Sequence, residues 1–195
     1  RVGGQAVSEI EQHNLADYDI VLSSSSAFSK GAITNPRTLH ICYCHTPTRF
    51  LWSDTHQYIE DLNYNRFIKK IIPIALKSLR QWDMMAAGRV DRFVANSATV
   101  RDRIQKYYRR PSDIIYPPVE TARFSIARPE NYYLAGGRLV GYKRFDIAIR
   151  AFNKLGMPLK IFGVGPAMDK LREIAKPNIE FLGRVSDEEK AGLYS

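Results

Sequence analysis

The chain has 195 residues, of which 45% are apolar and 25% charged, and a formal net charge of +9. The apolar share is ordinary for a globular core, and the length allows more than one folding unit. No run is long and apolar enough to span a bilayer, so the positive balance directs attention to an anionic partner: nucleic acid, an acidic membrane surface or a phosphorylated substrate.

In chain order, apolar runs predict strands at Asp19–Ser24 and Leu39–Cys44, followed by a long helical region from about Asn65 to Gly88. A strand at Arg92–Ala95 leads into a helix from Ser97 to Tyr108, with Ser97 placed to cap it. Ile114–Tyr116 is a last strand before Pro117-Pro118, and the proline-bearing run to Pro129 reads as a hinge, so a domain boundary is expected near residues 117–130. Beyond it, an apolar run at Tyr132–Ala135 ends in Gly136-Gly137 and an amphipathic segment covers Arg144–Leu155. A second run, Leu159–Phe162, ends in Gly163-Val164-Gly165-Pro166, a helix is expected over Met168–Ala175, and a third run, Ile179–Leu182, ends in Gly183. Strand, helix, strand, helix, strand at this spacing is the pattern of a parallel sheet with covering helices. A final helical stretch, SDEEKAGLYS, closes the chain.

In open parallel sheets, ligands bind at the carboxyl ends of the strands, where glycine lets a ligand approach the backbone. Arg138 and Lys143 lie just past the first such end, within reach of a diphosphate, although loop cations alone are commonly just solvated. Gly163-x-Gly165 lacks the third glycine of a dinucleotide fingerprint. Cys42 and Cys44, two apart, are poor disulfide partners and read as reduced core thiols. His40 and His45 complete no zinc-ligand spacing, so no metal is expected.

Within Asn65–Trp82, Ile71, Ile72, Leu76 and Leu79 fall near one helical face and Lys69, Lys70, Lys77 and Arg80 elsewhere. That pattern suits an interfacial helix or an ordinary packed surface helix, with Pro73 expected to break or kink it. The basic residues are spread along the chain without the aromatic clusters of common RNA-binding modules, so nucleic acid is not the expected partner.

Six blocks stand in a telling order: Cys44–Trp52 (CHTPTRFLW), Asp91–Ser97 (DRFVANS), Ile115–Val119 (IYPPV), GGRLVGYKRFD, FGVGP and FLGRVSDEE. Together they resemble glycosyltransferase family 4, the retaining GT-B enzymes, and most of all the mannosyltransferases that build O-antigen-like polysaccharides. The resemblance runs from about Asp19 onward. It implies an α/β fold of two Rossmann-like domains with parallel sheets: residues 1–120 as the later part of the N-terminal, acceptor-side domain, and 121–195 as the first part of the nucleotide-sugar domain. Both sheets are then incomplete and the chain is expected to be a fragment. It carries neither the family's glycine-rich turn near the N-terminus nor its later motif of two glutamates eight positions apart, so the fragment alone is expected to be catalytically impaired.

The same resemblance implies roles. Arg138 and Lys143 would grip the donor diphosphate and stabilise it as a leaving group, with Gly163, Val164 and Gly165 as the turn beneath the nucleotide. Gly183, Arg184 and Val185 would border the base. His45 would hydrogen-bond the donor sugar and help stabilise charge at the reacting centre, and Arg49, Trp52 and Asp54 would shape the acceptor pocket. The implied reaction is hexosyl transfer from a nucleoside-diphosphate sugar, GDP-mannose being favoured, to a lipid-linked or polysaccharide acceptor. It needs no other cofactor and no metal. The implied setting is cytoplasmic, with peripheral contact to an anionic membrane face. A nucleotide-sugar epimerase of the same fold and a non-catalytic basic protein binding nucleic acid or membrane are the alternatives.

Overall fold

The computed structural model describes residues 2–62, 64–126 and 128–194. They form two compact units that divide between Pro118 and Val119.

The first unit is built on a parallel sheet of β1 (Ile20–Ser25), β2 (Leu39–Cys44), β3 (Arg92–Ala95) and β4 (Asp113–Ile114), in that spatial order. Its helices are α1 (Val2–Glu11), α2 (Arg49–Trp52), α3 (Thr55–Asp61), α4 (Arg66–Arg89) and α5 (Ala98–Tyr108). Alternation sorts the strands: Cys42, Cys44, Phe93 and Ala95 point to one face, where Ala87 and Val90 at the end of α4, and Val100, Ile104 and Tyr108 on α5, close over them. The other face carries Ile20, Leu22 and Leu39 toward solvent, all more than a third exposed. Burial pushes the Cys42 thiol up, and burial together with the neighbouring Cys42 pushes Cys44 up to about 12. Both are free, buried and protonated at neutral pH, in keeping with core thiols.

The second unit is a parallel sheet of β5 (Tyr133–Gly136), β6 (Leu159–Phe162) and β7 (Ile179–Gly183), with α6 (Phe145–Leu155), α7 (Met168–Ile174) and α8 (Asp187–Tyr194). Ile149 on α6 and Leu171 on α7 pack with Leu159, Ile161 and Ile179 beneath Leu139. A bulge between β6 and β7 pairs Phe162 with Gly183 rather than Leu182, which ends the ladder on a glycine at φ +71°.

Several elements differ from the sequence-based expectation. The last strand of the first unit is Asp113–Ile114, so Tyr116 stands outside it. Neither the first helix, α1, nor the single turn α2 after His45 was among the expected elements. Helix α4 runs unbroken through Pro73. Pro73 is exposed, so water can serve the Lys69 carbonyl that loses its donor. Ile71 was expected beside Leu76 and Leu79; it points outward at 63% exposure, whereas Leu76 is buried.

Candidate functional site

At the carboxyl edge of the second sheet lies a cavity of about 480 Å³. That volume falls within the range of small-molecule sites. Six of the expected donor-side residues line it: Arg138 after β5, Gly163, Val164 and Gly165 after β6, and Arg184 and Val185 after β7. Lys190, which the sequence reading did not single out, lines it as well and is held 2.7 Å from Asp187. Lys143 is not among the lining residues, but its Nζ stands 2.7 Å from the place a Cβ on Gly137 would occupy, at the rim of the same cavity. The charged residues in the lining are Arg138, Arg184 and Lys190, all cationic.

The two glycines of the β6 turn are there for space. Gly163 has φ +116°, and a Cβ on it would strike the Gly137 carbonyl. A Cβ on Gly165 would strike the Leu139 carbonyl. The turn after β6 is bound to the one after β5 by the bonds Gly137 N–H to Phe162 O (3.1 Å) and Leu139 N–H to Val164 O (3.0 Å). The two glycines thus let the turns after β5 and β6 pack backbone to backbone, and Arg138, Arg184 and Lys190 line the cavity beside them, a set of charges that suits an anionic group.

In the first unit, His45, Arg49, Trp52 and Asp54 lie on one segment just past the end of β2. The His45 amide donates to Ser25 O at 2.8 Å, its ring Nε2 lies 2.8 Å from Ser24 Oγ, and the ring stands edge-on to Tyr43 with centroids 5.3 Å apart. The ring is exposed. Arg49 Nε donates to Asp54 Oδ2 at 2.7 Å. Partial burial pushes the Asp54 carboxyl up, but hydrogen bonds from Ser53 and Arg49 and the charges of Arg49 and Arg103 outweigh it, and the net shift is downward. The indole of Trp52 stacks on Tyr107 with centroids 5.2 Å apart and gives its N–H to Asp83 Oδ2 at 2.8 Å, so its polar end is engaged within the protein.

Asp83 is the residue that sequence reasoning missed. Wholly buried on α4, it accepts from Lys30 Nζ (2.6 Å) and Thr48 Oγ1 (2.7 Å) on one oxygen, and from Trp52 Nε1 (2.8 Å) and Tyr108 OH (2.8 Å) on the other. Lys30, 1% exposed, is held further by the Ala27 carbonyl and by Thr48 Oγ1. Burial, then the Asp83 charge, pushes the Tyr108 phenol up, which keeps it a donor. The hub clamps the Thr48–Trp52 turn, and Arg80 Nε adds a bond to Leu51 O at 2.8 Å. A lone aspartate on the inward face of an otherwise apolar and basic helix was the available signal.

A family model described as Glycosyltransferase Family 4 matches residues 3–123. The chain belongs to glycosyltransferase family 4. The match starts well before Asp19, where the sequence resemblance was expected to begin, and takes in α1. No curated protein sequence matches the chain. Among solved structures, a mutant of TarM from S. aureus, in complex with fondaparinux, alpha-GlcNAc-glycerol and UDP, is 15% identical with a TM-score of 0.58 over 94% of this chain and 36% of that one. The apo form of the lipopolysaccharide outer core galactosyltransferase WaaB is also 15% identical, with a TM-score of 0.54 over 98% of this chain and 51% of that one. At such identity the likeness establishes fold alone: an α/β architecture of parallel sheets matching GT-B glycosyltransferases. The family 4 chain spans about a third and about half of these two molecules.

Proposed function

We propose that the protein is a glycosyltransferase whose second unit binds the diphosphate and nucleoside of a nucleoside-diphosphate sugar. The observation that carries the reading is the cavity after β5, β6 and β7, lined in part by the glycine turn and with only cations among its charged lining residues. A diphosphate leaving group gains negative charge as its bond to the sugar breaks, so Arg138, and Lys143 at the rim, stabilise the transition state more than the ground state. Arg184 and Val185 border the nucleoside.

The reaction is hexosyl transfer with retention, in which the departing diphosphate helps accept the acceptor proton. Protein groups then supply positioning and leaving-group stabilisation rather than a nucleophile. His45 is assigned to the transfer step, its ring oriented by Ser24 and Tyr43, and Arg49 and Asp54 to the acceptor, a glycan or lipid-linked chain. GDP-mannose is the favoured donor on the strength of the sequence blocks. UDP bound to TarM makes UDP-glucose and UDP-N-acetylglucosamine the necessary comparison. Membership of family 4 argues against the epimerase alternative.

The test, made on the protein at its full natural length, is release of nucleoside diphosphate from each donor in the presence of a polyprenyl-linked glycan acceptor, without metal. One donor is expected to be turned over, with His45→Ala lowering turnover more than donor affinity. Full activity in that variant removes His45 from the step, and no turnover of any of the three donors contradicts the transferase reading for them.

A further inference from the structure

Resting on the transferase reading above, we propose that Lys30, Thr48 and Asp83 are positioning residues for the acceptor side of the transfer, and that what they help to place is a contact to two neighbouring sugar hydroxyls. β1 and β2 are parallel neighbours with Ser25 opposite Cys44, so the chain leaves both at one edge of the sheet, where His45 stands. Asp83 ties those two exits together. It takes Lys30 from the segment after β1, and Thr48 and Trp52 from the segment after β2, while Tyr108 joins from the end of α5.

Stability alone does not account for such a hub. Two charges withdrawn wholly from water make a weak stabiliser, but a carboxylate with two donors on each oxygen leaves its neighbours little choice of geometry. Thr48 shows how that geometry is used. It stands at the N-cap of α2, where a threonine hydroxyl ordinarily accepts from an amide of its own helix, and it makes no such bond. Its hydroxyl instead donates to Asp83 Oδ1 at 2.7 Å and accepts from Lys30 Nζ at 3.2 Å, and its amide donates to Tyr108 OH at 3.4 Å. A four-residue helix without a side-chain cap is not held by its own propensity, so the hub sets where the turn stands. The next residue is Arg49, whose guanidinium reaches Asp54 just past the turn. Both side chains are part-exposed, at 48% and 34%. Side by side, a guanidinium that only donates and a carboxylate that only accepts match two adjacent hydroxyls, each of which does both. A misplacement of about 1 Å can cost about a hundredfold in rate, so buried groups that never touch the acceptor still govern its use.

The experiment is steady-state kinetics on the protein at its full natural length, with the donor it turns over and a polyprenyl-linked glycan each varied at saturation of the other. Thr48→Val removes the hydroxyl and Thr48→Ser keeps it. Thr48→Val should raise the KM for the glycan on the order of tenfold and leave that for the donor unchanged, and Thr48→Ser should restore it. Loss of folded protein would instead lower kcat and leave both KM values in place, which separates positioning from stability. Should Thr48→Val fail to fold, Tyr108→Phe, which loses the bonds to the Thr48 amide and to Asp83 but keeps the ring, reads the same shift. An unchanged glycan KM in a folded variant, a donor KM that rises as far, or a Thr48→Ser enzyme no better than Thr48→Val overturns the proposal while the transferase reading stands. A wild type inert toward GDP-mannose, UDP-glucose and UDP-N-acetylglucosamine overturns that reading, and the positioning role with it.

Discussion

Asp83 gathers four donors from Lys30, Thr48, Trp52 and Tyr108 with no solvent at its side chain. Removing one member of a buried charge pair leaves the other unpaired, so Asp83→Ala should cost about 3–5 kcal/mol in denaturant unfolding. The paired replacement Lys30→Met/Asp83→Leu should cost less, because no charge is then stranded, although Thr48, Trp52 and Tyr108 still lose their acceptor. Equal losses in the two variants would contradict the hub. It was not legible in the sequence because its ion pair joins residues 53 positions apart and neither partner sits in a motif. Arg138 and the Gly163–Gly165 turn were legible, since glycine at strand ends is a local signal of a backbone that must stay bare. Gly163→Ala combines strain at positive φ with a clash against Gly137, and should lower the unfolding midpoint of the second unit by about 5 °C or more. An unchanged midpoint would remove the steric argument. His40 offers a pH test. Burial lowers its pKa, against a smaller upward pull from Asp91, and Nδ1 has no partner among the described residues. The unfolded chain takes up a proton near pH 6.5 that the folded protein accepts only at lower pH. Stability from this group is therefore present above about pH 6.5 and lost as pH falls toward the folded pKa. His40→Gln should flatten the decline in unfolding midpoint between about pH 7 and 5; an unaltered decline would assign it elsewhere.

At the scale of elements, the strands were legible because alternation and glycine punctuation mark them locally. β1, β2 and β3 came within a residue of expectation. Helix α5 was legible from its cap: Ser97 Oγ accepts from the Val100 amide at 3.3 Å. Ser97→Ala should cost about 1 kcal/mol, measured as a shift in denaturant midpoint, and no shift would mean the bond contributes little. The turn α2 spans only four residues, too few for periodicity to register, and is held by Asp83 and Arg80 rather than by propensity. In α4 the sequence showed an amphipathic helix but not which way it faced, because apolar residues occur around nearly its whole circumference over Phe67–Leu79. Packing chose Ile72, Leu76 and Leu79 for the inside and left Phe67, Ile71 and Ile74 outside.

For the whole molecule, a net charge of +9 admitted several anionic partners, and the structure distributes basic residues among different surfaces. Arg138, Arg184 and Lys190 line the cavity of the second unit with Lys143 nearby, and Lys70 and Lys77 stand exposed on α4 of the first. Arg110 does neither: it donates to the carbonyls of Ala87, Gly88, Val90 and Asp91, around the end of α4. Total charge is thus a poor guide to partners, whereas the order of blocks identified the fold and family. The central claim is that the cavity of the second unit holds a nucleoside diphosphate. Its most direct test is calorimetric titration with GDP-mannose, UDP-glucose and UDP-N-acetylglucosamine at moderate salt without metal, for the wild type, Arg138→Ala and Lys143→Ala. The account predicts saturable binding of one donor, weakened by about 1–3 kcal/mol in Arg138→Ala and by less in Lys143→Ala, whose ammonium stands at the rim. No saturable binding of any donor, or binding indifferent to both substitutions, would contradict it.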